Sequence, residues 1–109
     1  MVFNEYRIMW VTVFFDLPTK TKKDRKQYEI FRKKLLRDGF RMIQFSVYAR
    51  HCSSKANAEV HVSRVKSWLP PKGHVIIFTI TDKQFGMMEI FHAGMRVDTP
   101  PPPEQLMLF

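Results

Sequence analysis

The sequence predicts an α+β fold in which a central sheet carries two helices on one face. Two observations lead there. The runs Tyr6–Phe15 and Gly73–Thr81 are apolar on both of their alternating sets, as expected of central strands covered on both sides. Between them lie two stretches with helical spacing, separated by a third alternating run. Two helices cover only one face of such a sheet, so the other face needs a partner. A second copy packed sheet to sheet, a homodimer, is the simplest cover.

Each element has its own signals. Tyr6–Phe15 alternates Ile8, Trp10, Thr12 and Phe14 with Met9, Val11, Val13 and Phe15. It then meets Asp16 and stops at Leu17-Pro18. Thr21 is a helix N-cap, with Asp24 three residues on, and the helix runs to about Asp38. Tyr28, Phe31 and Leu35 form its core stripe, and Gly39 takes the left-handed C-terminal position. Arg41–Arg50 reads as one strand, with Ile43, Phe45, Val47 and Ala49 on one face. Met42, Gln44, Ser46, Tyr48 and Arg50 make a mixed, hydrogen-bonding face, expected to meet another subunit or a ligand.

Ser53 or Ser54 caps a second helix whose inner stripe is Ala58, Val62, Val65 and Leu69, ended by Pro70-Pro71. After Gly73–Thr81 the reading gives a turn over Lys83–Gly86 and a short strand over Met87–Phe91. The domain is set at residues 1–94. Residues 95–109 form a proline-rich extended arm, because the four prolines from Pro100 to Pro103 exclude helix and sheet interior. The apolar tip QLMLF is expected to add to a neighbouring sheet edge or to enter a partner's groove.

Composition narrows the function. The 109 residues hold 45% hydrophobic residues, ten of them Phe, enough for the core of one small domain. Lys and Arg number 18 against 10 Asp and Glu, and the formal charge of +8 points to a polyanionic partner, nucleic acid above all. The single cysteine, Cys52, excludes an internal disulfide and a cysteine-based zinc site. No segment reaches the roughly 20 apolar residues of a membrane helix. No signal peptide is visible, since Glu5 and Arg7 interrupt the first ten residues, and a cytoplasmic location is expected.

Three candidate sites follow. Asp16, at the carboxyl end of a central strand, is placed either to start a turn with Leu17-Pro18 or to hold a cation. Magnesium takes one or two carboxylates and keeps several waters, so a twofold axis near Asp16 would supply a second carboxylate. Lys22, Lys26, Lys33 and Arg37 fall in one sector of the first helix, opposite its apolar stripe. That row is about 22 Å long at about 1.5 Å per residue. It suits a phosphate backbone contacted without base reading. The histidines His51, His61, His74 and His92 show no metal-ligand spacing, and Cys52 beside His51 is no catalytic dyad, because such partners meet in space.

Four ordered stretches, FFDLP, the basic helix ending RDGF, MIQFSVYAR and GHVIIFTITDKQF, resemble the second CRISPR-associated adaptation protein, the Cas-two family, in its type II form. The match covers roughly residues 6–91, and the proline tail departs from it. The resemblance implies a ferredoxin-like fold and a symmetric homodimer. It implies that Asp16 is the metal-binding and catalytic carboxylate, holding Mg2+ with its symmetry mate for cleavage of RNA or duplex DNA. It also implies a dimer held between two dimers of the CRISPR integrase, the first adaptation protein, where it supports duplex DNA before spacer insertion. Gln44, Ser46 and Arg50 lie in the matching strand as candidates to orient a phosphate, Arg50 counting with the basic row as a nucleic-acid contact. A stand-alone toxin-type ribonuclease of related fold is the alternative.

Overall fold

The computed structural model describes residues 8–101. Six strands and three helices follow in the order β1 (Met9–Asp16), α1 (Lys22–Arg37), β2 (Arg41–Gln44), β3 (Val47–Cys52), α2 (Lys55–Ser67), β4 (His74–Thr81), α3 (Asp82–Gly86), β5 (Ile90–His92) and β6 (Met95–Val97). The first four strands form one sheet in the order β2-β3-β1-β4, with all neighbours antiparallel. With α1 and α2 as the two crossovers, this is the ferredoxin-like α+β arrangement. Among the described residues, no helix is long and apolar enough to cross a membrane.

The helix-side core is built from the alternation of β1. Val11, Val13 and Phe15 point to the helices and pack with Tyr28, Phe31, Leu35, Tyr48, Ala58 and Val65. Phe15 sits at its centre, with its ring 5.2 Å from that of Phe31 and 5.5 Å from that of Tyr48. Helix α1 starts at the expected cap. Thr21 Oγ1 accepts from the Asp24 N–H at 3.0 Å, and Asp24 Oδ2 accepts from the Thr21 N–H at 3.3 Å. Gly39 ends it at φ +94°.

Several boundaries differ from the sequence reading. The expected single strand Arg41–Arg50 is a hairpin: β2 and β3 turn back on each other through Phe45 and Ser46, with Ser46 at φ +64°. Alternation runs unbroken through the turn, and no Gly, Asn or Pro marks it, so pattern alone could not show the reversal. The mixed face is split rather than uniform, with Met42 and Gln44 exposed. Tyr48 is fully buried in the helix-side core. Arg50 is opposite Val11 on that same side, and donates from Nε to the Asp38 carbonyl at 2.6 Å and from Nη1 to the His51 carbonyl at 2.7 Å.

In α2, capped by Ser54, His61 takes the inner place expected of Leu69, which lies beyond the helix end and is exposed. Lys83–Gly86 belongs to a short helix capped by Thr81 rather than to a turn. Met87–Phe91 supplies no strand to the main sheet; β5 pairs with β6 alone, and this hairpin spans the expected boundary at residue 94. The apolar tip of the tail lies outside the described residues.

The opposite face of the sheet is only half covered. Trp10 stacks on Phe85 of α3 with ring centroids 3.8 Å apart, and its Nε1–H donates to Asp82 at 2.7 Å. Arg41 lies 5.1 Å over the Trp10 ring and donates to the Pro101 carbonyl at 2.6 Å, so burial lowers its pKa. Beyond this cover Phe14, Ile76 and Phe78 stand exposed on neighbouring strands, beside a groove of about 480 Å3 that they share in part with Ile43, Met88 and Phe91.

Candidate metal site and nucleic-acid interface

Asp16 closes β1 at the rim of the half-open face. It has the same strand parity as Thr12 and Phe14, and its side chain is exposed. Among the described residues no hydrogen bond or ion pair engages its carboxylate. The strand end beneath it is fixed by backbone contact. Gly73 has φ +89°, and a Cβ there would lie 2.6 Å from the Asp16 carbonyl oxygen and 2.8 Å from Leu17 Cδ2. The Phe15 N–H donates to the Ser46 carbonyl at 3.0 Å, which ties the same end to the β2–β3 turn.

The register puts His74 directly opposite Asp16, with its side chain exposed. Directly opposed residues of antiparallel strands share a face, with Cβ atoms about 4.5–5.5 Å apart. The sequence reading set His74 aside for want of metal spacing; its pairing with Asp16 arises only from the β1–β4 register. A glycine before the first strand residue was the one available signal. No group of three or more His, Cys, Asp and Glu forms a metal cluster among the described residues. A hard cation that keeps several waters and takes one or two carboxylates fits the uncommitted Asp16 oxygens.

The basic row forms as expected. Lys22, Lys26, Lys33 and Arg37 are all exposed on α1, and none is in an ion pair among the described residues. Arg32 differs, since it lies 3.6 Å from Glu29. Arg50 does not join the row: its guanidinium is half-buried and held on backbone carbonyls behind the end of α1. Of the other candidates, Ser46 forms the turn beside Asp16 and Gln44 is exposed at the end of β2, lining the groove of the half-open face.

Two polar groups near the helices are structural. Asp38, at the end of α1, accepts from Arg64 at 2.6 Å and pairs with the buried His61 at 2.7 Å, which pins α2 to α1. Cys52 is buried, and burial raises its pKa, against the thiolate form a nucleophile needs.

This arrangement is matched elsewhere. The family model described as CRISPR associated protein Cas2 matches residues 9–88, from the first residue of β1 to just past α3. The chain belongs to the Cas2 family. A Flavobacterium psychrophilum protein named CRISPR-associated endoribonuclease Cas2 is 56% identical over 106 residues, covering 97% of this chain and 92% of its own. A Parvibaculum lavamentivorans protein of the same name is 54% identical over 101 residues, covering 93% and 100%. A third, from Paracidovorax avenae, is 45% identical over 104 residues, covering 95% and 96%. An alignment covering 97% of the chain reaches into the proline-rich tail, which lies outside the family model.

Proposed function

We propose that this Cas2-family chain is a CRISPR adaptation subunit. It acts as a homodimer that binds duplex DNA and bridges two dimers of the CRISPR integrase during spacer acquisition. The observation that carries the reading is the row of exposed cations Lys22, Lys26, Lys33 and Arg37 along α1, none of them in an ion pair among the described residues. Such a row contacts phosphates and carries no base information. The apolar patch of Phe14, Ile76 and Phe78 on the half-open face supports the homodimer, since burying the part of each side chain still exposed gains roughly half of the about 1.5–3 kcal/mol that full burial is worth.

A metal-dependent endonuclease activity on RNA or DNA accompanies this role, with Asp16 as the residue that holds Mg2+. Asp16 would hold the ion, and the chemistry it would supply there is charge stabilisation of a phosphate oxygen. Asp16 offers its carboxylate oxygens from a strand end that backbone contacts hold still. His74 stands on the same face as the group available to take or give a proton. The basic row fixes the strand path. The relatives' names speak for ribonuclease chemistry and for a CRISPR setting, which disfavours a stand-alone toxin.

The test is assembly. Wild type mixed with the integrase and duplex DNA is expected to give one particle whose mass, by light scattering, equals one dimer of this chain plus two integrase dimers plus the bound duplex. The double variant Phe14→Glu, Ile76→Glu is expected to be monomeric and to give no such particle. A folded double variant that still dimerises would refute the sheet-face dimer.

A further inference from the structure

His61 and His74 each have a carboxylate neighbour, and the two pairs differ in what else they touch. His61 lies 2.7 Å from Asp38, but both are buried, and the other Asp38 oxygen accepts from Arg64 at 2.6 Å. That pair is closed, because a guanidinium already neutralises its carboxylate. His74 and Asp16 are directly opposed on the last rung of the β4–β1 ladder, and both side chains are exposed. Among the described residues no hydrogen bond or ion pair engages either of them. His51 faces Trp10 and His92 faces Met95 across their own ladders, so neither shares this setting.

The open pair stands on fixed backbone. Gly73, just before His74, packs so closely on the Asp16 carbonyl that a Cβ there would lie 2.6 Å from it. The Phe15 N–H, just before Asp16, donates to the Ser46 carbonyl at 3.0 Å. Opposed residues share a face with Cβ atoms about 4.5–5.5 Å apart. One ion bridges that gap when a carboxylate oxygen and an imidazole nitrogen each bind at about 2.0–2.2 Å. The next rung inward pairs Phe14 with Ile76 on the same face, so the pair borders apolar surface rather than competing charge. Two protein ligands leave the remaining positions to water and to a phosphate oxygen, as a site that admits substrate requires.

The donor set selects the ion. Magnesium prefers oxygen ligands, whereas the divalent transition cations from manganese to zinc also accept imidazole nitrogen. We infer that His74 is a second metal ligand beside Asp16, so that this site takes a first-row transition cation in preference to Mg2+. The inference rests on the Asp16 metal reading above and names the class of ion. It also divides the roles of His74. Beside Mg2+ its ring stays free to carry a proton; with a transition cation one ring nitrogen is committed.

The experiment titrates Mg2+, Mn2+ and Co2+ into the untagged full-length wild type, His74→Gln and Asp16→Asn. Calorimetry gives the affinities, and the visible absorption bands of Co2+ report its ligands. Wild type is expected to bind Mn2+ and Co2+ more tightly than Mg2+. His74 is exposed at a strand end, so His74→Gln is expected to keep the wild-type circular dichroism. It is expected to weaken Co2+ binding by about tenfold or more, since losing even an outer partner of a metal ligand costs that much. Its Co2+ bands are expected to change and its Mg2+ affinity to match wild type. Asp16→Asn is expected to lose all three ions. Unchanged Co2+ affinity and bands in His74→Gln would overturn the ligand role while leaving Asp16 as a magnesium site. An equal loss of Mg2+ and Co2+ would make His74 a support of the strand end and overturn it as well. So would Co2+ binding that survives Asp16→Asn, or a wild type without preference for Co2+ over Mg2+. Wild type that binds none of the three would overturn the Asp16 metal reading itself.

Discussion

Neutralising the α1 row by the fourfold change of Lys22, Lys26, Lys33 and Arg37 to Gln removes exposed charges that stabilise nothing else in the described chain. Each has solvent on its side of the helix, so the variant is expected to fold, with Tyr28, Phe31 and Leu35 still in the core. The row is about 22 Å long, enough to lie against several successive phosphates of one strand. Each neutralised phosphate contributes about 0.9 to the slope of log affinity against log salt. Removing one full row therefore lowers the slope by about 3.6, and twice that where both rows of a dimer touch one duplex. Between 50 and 200 mM salt, one row accounts for a change in affinity of roughly 150-fold. Fluorescence anisotropy of a labelled duplex across that range measures the slope directly, with a scrambled duplex as the control for sequence preference. A fourfold variant whose slope matches wild type would refute the assignment of the row to phosphate contact.

Further predictions concern stability. Gly73→Ala places a Cβ against the Asp16 carbonyl at a left-handed position, so a loss of about 1–2 kcal/mol or more is expected in urea unfolding; an unchanged midpoint would mean that the two loops do not touch. Thr21→Ala removes the cap of α1 and is expected to cost about 1 kcal/mol by the same assay. Asp24 is held below its ordinary pKa of 3.8, chiefly by its bond from the Thr21 N–H. Its contribution is present above pH 3.8 and lost as pH falls through the lower folded value. The penalty of an Asp24→Ala change is accordingly expected to shrink at the acid end, and a penalty constant with pH would contradict the capping box.

The parts of this fold legible in the sequence were those with a local cause. The Thr21 cap, the Tyr28–Phe31–Leu35 stripe and the left-handed Gly39 each depend on neighbours within a few residues. The β2–β3 reversal was hidden because Ser46 adopts a conformation usually left to Gly or Asn, and tertiary contact with Phe15 and Tyr28 stabilises it there. Asp16 could be singled out from its place at a strand end, whereas His74 is 58 positions away and meets it only through pairing register. Arg50 misled because a basic residue on an alternating strand looks free until the end of α1 is seen to need it.

The most direct test of the adaptation reading is duplex binding by Asp16→Asn, measured with and without magnesium, with cleavage read from the same reactions. Asparagine keeps the shape of the strand end and removes the charge. Wild-type affinity with loss of any magnesium-dependent cleavage is the expected result, since the proposed DNA contact is the α1 row and not the carboxylate. A dimeric Asp16→Asn protein that no longer binds duplex would contradict it.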